Sequence, residues 1–230
     1  MIKLHYFKGR GRAETTRWML AINHLTFENV PIDTPNALTM LRLTGKLPFD
    51  QMPLLEIDEL KLSQSSAMIR YLARRGGFYG KNDFEGLWCD MIVGAVADFA
   101  EAAMQAAFKP TTEIAIIALK AGFNKFGPRF ESRLRENGSG FCVGAGVTFA
   151  DVVLAEALSE YLDWCPDILA DTPELMSLYN RILSEPGVSS YLLSEQRYPI
   201  AGNDYVIDVA SVLQRSLPSH MPNPNRFLSS

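Results

Sequence analysis

Residues 5 to 17 read HYFKGRGRAETTR, where a tyrosine and two arginines surround a pair of glycines. Such a loop predicts an anion site, because guanidinium groups and backbone N–H groups donate hydrogen bonds to negatively charged atoms. It is not a dinucleotide loop, since Ala13 and Glu14 follow Gly9 and Gly11 where G-x-G-x-x-G needs its third glycine. It also lacks the C-x-x-C of a thioredoxin redox turn. We therefore expect the loop to bind a small anion that is not a nucleotide.

A second candidate anion site begins at Ser65 and Ser66, which are typical N-cap residues. An apolar pattern of helical period follows them, and Gly76 and Gly77 end it. The first turn of a helix has unpaired N–H groups and a partial positive charge, so it favours a carboxylate. A plain N-cap is the alternative interpretation of the two serines.

Composition excludes several other classes of protein. The chain has 230 residues, 47% of them hydrophobic, which is typical of one large or two small globular domains. A net charge of −4 argues against nucleic acid as the main partner. The three cysteines and three histidines are scattered, so we expect neither disulfides nor a metal site. We find no apolar window long enough to span a membrane and no signal peptide, and expect a cytoplasmic protein.

The pattern of elements changes along the chain. The first third alternates strand and helix as βαβ followed by ββα, with Asp58 and Glu59 as a two-residue hairpin turn between the last strands. From about Asp83 onward only segments of helical period follow. We therefore predict an α/β domain over residues 1–79, an all-helical domain over 84–217 ending in a lid helix, and a flexible tail over 218–230.

Two patterns in the helical part carry further predictions. The fourth predicted helix, α4, runs from about Asp83 to the helix breaker Pro110. On it, Met91, Gly94, Ala95 and Asp98 recur at helical spacing and form a narrow line of small side chains ending in a carboxylate, here named the α4 stripe. The sequence TFAD, with Thr148 at the N-cap, predicts a capping box that serves folding.

The order of these motifs resembles the cytosolic glutathione transferases, most closely their alpha class. The resemblance covers almost the whole chain and rests on YF, GRGRAETTRW, QMPLLEID, LSQSSAMIRYLA, DMIVGAVADF, FADVVLAE and a final helix beyond Asn203. It implies a thioredoxin-like α/β domain followed by the helical domain. It also implies glutathione as cosubstrate, with no metal and no other cofactor.

The resemblance implies roles for individual residues. Tyr6 matches the catalytic tyrosine, which donates a hydrogen bond to the glutathione sulfur, and Arg12 matches an arginine beside it. The remaining implied glutathione contacts are Arg42, Gln51, Met52, Pro53, Gln64, Ser65, Asp98 and Lys125. The family has a cis bond before the matching proline, although the sequence alone favours trans. Without the resemblance, Tyr6 is as well explained as a core residue and Arg12 as a solvated one.

The resemblance also implies a homodimer and a pocket for an apolar electrophile. Phe49 matches a residue that inserts between helices of the partner, where Met91 and Phe130 match pocket walls. Asp98 matches a residue that reaches the glutathione amine of the other subunit. Arg133 departs from an apolar pocket position, and Lys125 replaces an arginine. The residues expected to line the electrophile pocket are Phe7, Val206, Val209, Ala210 and Leu213.

The implied reaction is attack of the glutathione thiolate on an electrophilic carbon, as in detoxification. Two other functions stay open. The same site permits a glutathione-dependent isomerase acting on a steroid or a prostaglandin-like substrate. A non-catalytic carrier of apolar ligands or a crystallin-like protein is the alternative from another class.

Overall fold

The computed structural model describes residues 1–220. Its first part contains four strands and three helices. In chain order they are β1 (Ile2–Tyr6), α1 (Glu14–Ile22), β2 (Phe27–Pro31), α2 (Pro35–Leu43), β3 (Leu54–Ile57), β4 (Leu60–Ser63) and α3 (Ser65–Gly76). A 3-10 turn over Gly11–Ala13 precedes α1. This confirms the predicted βαβ-ββα order.

The sheet has the strand order β2-β1-β3-β4. β1 runs parallel to β2, with Tyr6 opposite Pro31, and antiparallel to β3. Asp58 and Glu59 form the β3–β4 turn with φ of 46° and 67°, as a two-residue hairpin of this kind requires. β1 is an inner strand and Tyr6 is its last residue. Tyr6 therefore lies near the middle of one end of the sheet.

Six further helices follow in the described part of the chain: α4 (Asp83–Met104), α5 (Thr112–Asn137), α6 (Phe149–Trp164), α7 (Pro173–Leu183), α8 (Pro186–Leu192) and α9 (Asn203–Val212). Phe99 of α4 stacks on Tyr161 of α6 at 4.1 Å between ring centroids, and the Tyr161 hydroxyl donates to the Phe99 carbonyl oxygen at 2.8 Å. The chain is therefore an α/β unit followed by a helical unit. Most of the expected tail, residues 221–230, lies outside the described residues.

α4 corrects one expectation from the sequence. The segment Asp83–Phe108 has a mean hydropathy of 1.3 over an 18-residue window, so by length and composition it could cross a membrane. The segment contains seven alanines beside Ile92, Val93 and Val96, so it is apolar without a long run of large side chains. Ile92, Val96 and Phe99 are buried on one face of α4, which contacts α5 and α6. With 33% of the window buried, this single helix is weak evidence of a membrane span.

The start of α6 is fixed by the expected capping box. Asp151 is fully buried, and its carboxylate accepts hydrogen bonds from Thr148 N–H at 2.8 Å and from Cys142 N–H at 2.6 Å. The Thr148 hydroxyl donates to the same carboxylate at 2.8 Å. Asp151 thus stabilises both the N-terminus of α6 and the preceding loop.

α1 lies between the sheet and the helical unit. Glu14 is buried there and accepts hydrogen bonds from Arg17 at 2.9 Å, from the Trp18 indole at 3.2 Å and from the Tyr191 hydroxyl of α8 at 2.9 Å. Arg17 and Trp18 are both at most 1% exposed. The two units are joined by a polar network as well as by apolar contact.

Candidate functional site

Tyr6 ends β1 beside the glycine-arginine loop. Its hydroxyl oxygen accepts a hydrogen bond from the Arg12 backbone N–H at 3.1 Å. The ring is 6% exposed and lies edge-on to Phe7, with 5.1 Å between ring centroids. The ring is therefore held by packing while the hydroxyl stays at the edge of the sheet.

The two arginines of the loop have different surroundings, which corrects the expectation that both face an anion. Arg10 is buried, forms ion pairs with Glu160 and Asp163 of α6, and donates from Nε to the Tyr198 carbonyl oxygen at 2.7 Å. Arg12 has a side chain that is 60% exposed, with only Glu101 near it at 3.9 Å. Arg10 anchors the loop to α6, and Arg12 is the cation that a ligand could reach.

A cleft of about 490 Å³ lies over the C-terminal end of β1. It gathers most of the predicted site residues from separate parts of the chain. Those present are Tyr6, Phe7, Arg12, Arg42, Gln51, Met52, Pro53, Gln64, Ser65 and Leu213. Asp98 and Lys125 lie outside it: both are exposed, and the Lys125 ammonium lies 4.6 Å from the centre of the Phe126 ring.

One wall of the cleft is the N-terminus of α3. Gln64, which precedes the helix, has φ 68° and ψ 106°, a conformation that a non-glycine residue rarely adopts. Its side-chain amide donates to the Gln51 side-chain oxygen at 3.0 Å. The Gln64 carbonyl oxygen accepts hydrogen bonds from the backbone N–H groups of Ala67 and Met68. The N–H groups of Ser65 and Ser66, at the very start of α3, therefore remain available to a carboxylate. The N-cap is thus Gln64, one residue before the expected serines.

The opposite wall contains Met52 and Pro53, joined by a cis peptide bond as the resemblance implied. Pro53 is buried and Met52 is half-buried. β3 begins directly after this pair, at Leu54 opposite His5 of β1. The backbone of Met52 therefore lies at the open end of the sheet, facing the cleft.

The final helix contributes differently from the prediction. Leu213, just beyond α9, lines the cleft, whereas Val206 is 1% exposed and has no free surface to offer a ligand. Val209 and Ala210 are half-buried and line neither the cleft nor the smaller cavity between the two units. Of the five residues predicted to line the electrophile pocket, Phe7 and Leu213 line the cleft, and Val206, Val209 and Ala210 do not.

Sequence reasoning missed four residues of this region. Leu38, Asp50 and Arg215 line the cleft, and Tyr205 of α9 covers the glycine-arginine loop. Arg215 follows the last described helix and no pattern marks it. Gly9 and Gly11 were a signal for Tyr205, because glycines often mark the close approach of another group, but they could not say which group.

A second, mainly apolar cavity of about 140 Å³ lies between the two units, next to Arg12 and Ser65. Glu156 of α6 reaches it and is 7% exposed, with the Thr15 hydroxyl donating to its carboxyl oxygen at 2.8 Å. Burial, together with the neighbouring carboxylates of Glu160 and Glu14, raises the Glu156 pKa well above its ordinary value. The folded protein therefore holds the Glu156 proton more tightly than the unfolded chain does.

We expect Glu156→Gln to flatten the pH dependence of stability. A raised pKa in the folded state means that the native protein keeps a proton that the unfolded chain releases above about pH 4.5. This stabilisation is complete below that pH and is lost as pH rises toward the folded pKa, by about 1.4 kcal/mol per pH unit. Glutamine can still accept the Thr15 bond but has no proton to lose.

The measurement is the free energy of unfolding in urea between pH 4 and pH 9. The variant should match the wild type at pH 4 and exceed it at pH 8. Glu195→Gln, at an exposed site, is the matched control and should keep the wild-type slope. Parallel curves for Glu156→Gln and wild type would contradict the assignment.

The residues implied in a dimer interface separate into exposed and buried ones. Phe49 is 63% exposed and Met91 of the α4 stripe is 54% exposed, so both offer apolar surface to a partner. Phe130 is 5% exposed and packs edge-on against Phe99 at 5.6 Å, which makes it a core residue of this chain. The place of Phe130 in a dimer interface stays a prediction from the resemblance. Arg133 donates to the Cys142 carbonyl oxygen at 3.0 Å and stacks on Trp88 at 4.2 Å.

Two family models match the chain. The glutathione S-transferase N-terminal domain matches residues 2–74, and the glutathione S-transferase C-terminal domain matches residues 97–195. Glutathione S-transferase alpha-4 of Rattus norvegicus is 35% identical over 92% of this chain and 97% of its own length. The chain belongs to the glutathione S-transferase family. It is therefore an enzyme that uses glutathione as its cosubstrate.

Other similar proteins are glutathione S-transferases as well. Glutathione S-transferase A2 of Bos taurus is 38% identical over 86% of this chain and 90% of its own. Among solved structures, the glutathione S-transferase Na-GST-3 of the hookworm Necator americanus, described as monomeric, has a TM-score of 0.74. It is 30% identical, with 83% of this chain and 95% of that chain covered. Within residues 1–220, no group of three or more histidine, cysteine or acidic side chains is placed to hold a metal ion.

Proposed function

We propose that this transferase binds glutathione in the cleft and transfers its thiolate to the electrophilic carbon of an apolar compound. The observation that carries the proposal is the meeting of Tyr6, Arg12 and the N-terminus of α3 around one cleft. These groups come from two distant parts of the sequence: Tyr6 and Arg12 suit the thiol of glutathione, and the N-terminus of α3 suits a carboxylate. Neither an isomerase nor a carrier is favoured by any contact in the cleft.

Binding of the peptide follows from the two walls. The γ-glutamyl carboxylate accepts hydrogen bonds from the Ser65 hydroxyl and from the free N–H groups at the start of α3. The cysteinyl backbone pairs with Met52 as an added strand would pair with the edge of a sheet. Arg42, exposed at the far end of the cleft, meets the glycyl carboxylate. The cysteine side chain then points toward Tyr6.

Activation of the thiol depends on Tyr6 and Arg12. A thiol has an ordinary pKa of about 8.5, so most of it is protonated at neutral pH. The Tyr6 hydroxyl donates a hydrogen bond to the sulfur anion, and the Arg12 guanidinium adds a positive charge; both favour the ionised form. The proton leaves to solvent, sulfur forms the bond to carbon, and the leaving group departs with its electron pair.

Titration calorimetry with glutathione, followed by a panel of electrophiles and isomerisable ketones, tests the proposal. We expect binding below millimolar concentration and conjugation of at least one apolar electrophile. The absence of heat at millimolar glutathione would overturn the proposal. Binding without any turnover would favour the carrier, and turnover of ketones alone would favour the isomerase.

Ser65→Ala is expected to weaken glutathione binding. A hydrogen bond to a charged group contributes about 1.5 to 3 kcal/mol, so the dissociation constant should rise at least tenfold. Ser66→Ala is the matched control, because Ser66 lines the interdomain cavity and not the cleft. Calorimetry on both variants gives the comparison, and equal losses of affinity would show that neither hydroxyl is specific to the ligand.

We also propose that the enzyme is a homodimer, with Phe49 inserted into the partner near its α4 stripe. Exposed Phe84 and Leu87 extend the stripe by two turns, at 69% and 57% exposure, so the apolar surface is continuous along one face of α4. Asp98 is exposed on the same face, where it could reach the glutathione amine of the other subunit. Lys125 is assigned to the glutathione site on the resemblance alone.

Phe49→Ser is expected to weaken the dimer, because it removes a large apolar side chain that we propose to insert into the partner. Light scattering at several protein concentrations measures the effect as a shift of the monomer–dimer equilibrium by at least tenfold. Ile117→Ser, at a residue 68% exposed on α5, is the control and should leave the equilibrium unchanged. A monomeric wild type, as the hookworm relative is described to be, would overturn the homodimer proposal.

Detoxification in the cytoplasm is the role we propose for this activity. An apolar electrophile becomes charged and water-soluble once it carries the two carboxylates of glutathione. The broad chemistry of thiolate attack supports this role, since it depends on the electrophilic carbon more than on the rest of the substrate. Fractionation of cells that express the protein, with activity followed in the high-speed supernatant, tests the location.

A further inference from the structure

Tyr205 of α9 covers the loop between β1 and α1. A Cβ placed on Gly9 would lie 2.3 Å from the Tyr205 ring, so no other residue fits beneath it in this arrangement. A Cβ placed on Gly11 would lie 2.7 Å from the Tyr205 hydroxyl and also 2.7 Å from the Tyr6 hydroxyl. The two hydroxyl groups therefore meet above Gly11. Phe108 packs edge-on against the Tyr205 ring at 6.5 Å from its other side.

The Tyr6 oxygen accepts a hydrogen bond from the Arg12 backbone N–H at 3.1 Å. The Tyr205 hydroxyl is placed beside it, since the two hydroxyl groups each lie 2.7 Å from one point above Gly11. The neighbouring Tyr6 is also one of the causes that raise the Tyr205 pKa. A hydroxyl oxygen has two acceptor positions, so a second donor at this place would leave the Tyr6 proton only the remaining direction, into the cleft.

Tyr205 is suited to remain the donor at physiological pH. Burial is the largest cause that raises its pKa, followed by the neighbouring Tyr6 and the hydrogen bond to it. The charged groups that act on it are Arg17 of α1, which lowers the pKa, and Glu160 of α6, which raises it. The Tyr205 proton therefore stays in place while the glutathione thiol ionises.

On the proposed function, we infer that Tyr205 is a positioning residue for Tyr6. By donating to the Tyr6 oxygen it directs the Tyr6 proton at the glutathione sulfur and polarises that hydrogen bond. A chain of hydrogen bonds then runs from Tyr205 through Tyr6 to the thiolate, and each donor strengthens the next. Because Tyr205 belongs to α9, thiol activation depends on that helix being seated over the loop.

The test is the pKa of the thiol of bound glutathione, read from the ultraviolet absorbance of the thiolate. Tyr205→Phe keeps the ring on Gly9 and Phe108 and removes only the hydroxyl. We expect the thiol pKa to rise by about 0.5 unit, a threefold loss of thiolate below that pKa. Ser211→Ala, which removes an exposed hydroxyl from the same helix, should leave the pKa unchanged.

Two further measurements separate positioning from a merely structural role. S-methylglutathione has no ionisable thiol, so its affinity should be the same for wild type and Tyr205→Phe; a matching loss there would overturn the inference. In the background of Tyr6→Phe, the Tyr205→Phe change should shift the thiol pKa no further, because its effect passes through Tyr6. Equal shifts in both backgrounds would also overturn it.

The outcomes distinguish this inference from the proposed function. A wild-type enzyme that binds and ionises glutathione, with the same titration in Tyr205→Phe, overturns the inference alone. In that case, a lower rate of Tyr205→Phe with electrophiles would indicate that the Tyr205 hydroxyl contacts the electrophile instead. A wild type without a thiolate band overturns the proposed function, and the inference falls with it.

Discussion

Tyr6→Phe is expected to slow conjugation 10- to 100-fold at pH 6.5, and the rate should return as pH is raised. The variant loses the hydrogen bond to the sulfur anion, which contributes about 1.5 to 3 kcal/mol and therefore about 1 to 2 pKa units. Glutathione affinity should be retained, because the peptide is recognised by groups other than the phenol. The measurements are the pH–rate profile and the thiolate absorbance of the bound peptide.

Two comparisons make that result specific. Tyr71→Phe removes a half-buried tyrosine hydroxyl on α3 outside the cleft, and should change neither measurement. Arg12→Leu should shift the thiol titration in the same direction as Tyr6→Phe, since it removes a nearby positive charge. If Tyr6→Phe leaves the titration unmoved, Tyr6 is a core residue and the donor to sulfur is another group.

Asp151→Ala should cost about 3 to 5 kcal/mol of stability, because it leaves the buried N–H groups of Thr148 and Cys142 without acceptors. The midpoint of thermal unfolding should fall by about 10 °C in a chain of this size. Calorimetry or circular dichroism gives the midpoint. The cleft lies outside this contact, so glutathione affinity at low temperature should be unchanged.

The control for Asp151→Ala is Asp167→Ala, at an exposed carboxylate in the loop after α6. We expect it to change stability by less than about 0.5 kcal/mol. Similar midpoints for the two variants would mean that the capping box does not stabilise α6. The contrast also shows that the cost arises from orphaned donors and not from loss of a negative charge.

Features determined by local chemistry could be predicted from the sequence. The Asp58–Glu59 turn, the end of α3 at Gly77 and the Thr148–Asp151 capping box each depend on residues within a few positions. The starts of α7 and α8 at prolines are of the same kind. The resemblance added the cleft residues, which lie far apart in sequence and have no local pattern in common.

Features that depend on distant contacts could not be predicted. Arg10 and Arg12 look equivalent in the loop, and only the position of α6 decides that Arg10 is buried in ion pairs. Val206 has the spacing of a pocket residue, but the seating of α9 turns it inward. The expectation that no apolar window is long enough to span a membrane was wrong for Asp83–Phe108, because charged residues within this segment interrupt its apolar runs while its mean hydropathy stays at 1.3.

The network around α1 bears on how the chain can be divided. Removal of the helical unit would delete the Tyr191 hydroxyl that donates a hydrogen bond to Glu14. It would also delete the two carboxylates that form ion pairs with Arg10, and remove the contacts that α1 makes with α6 and α8. A fragment ending near residue 79 would therefore expose unpaired charge and the face of α1 that packs on the helical unit. Tyr6 lies on the strand that leads into α1, so we expect the two units to unfold together.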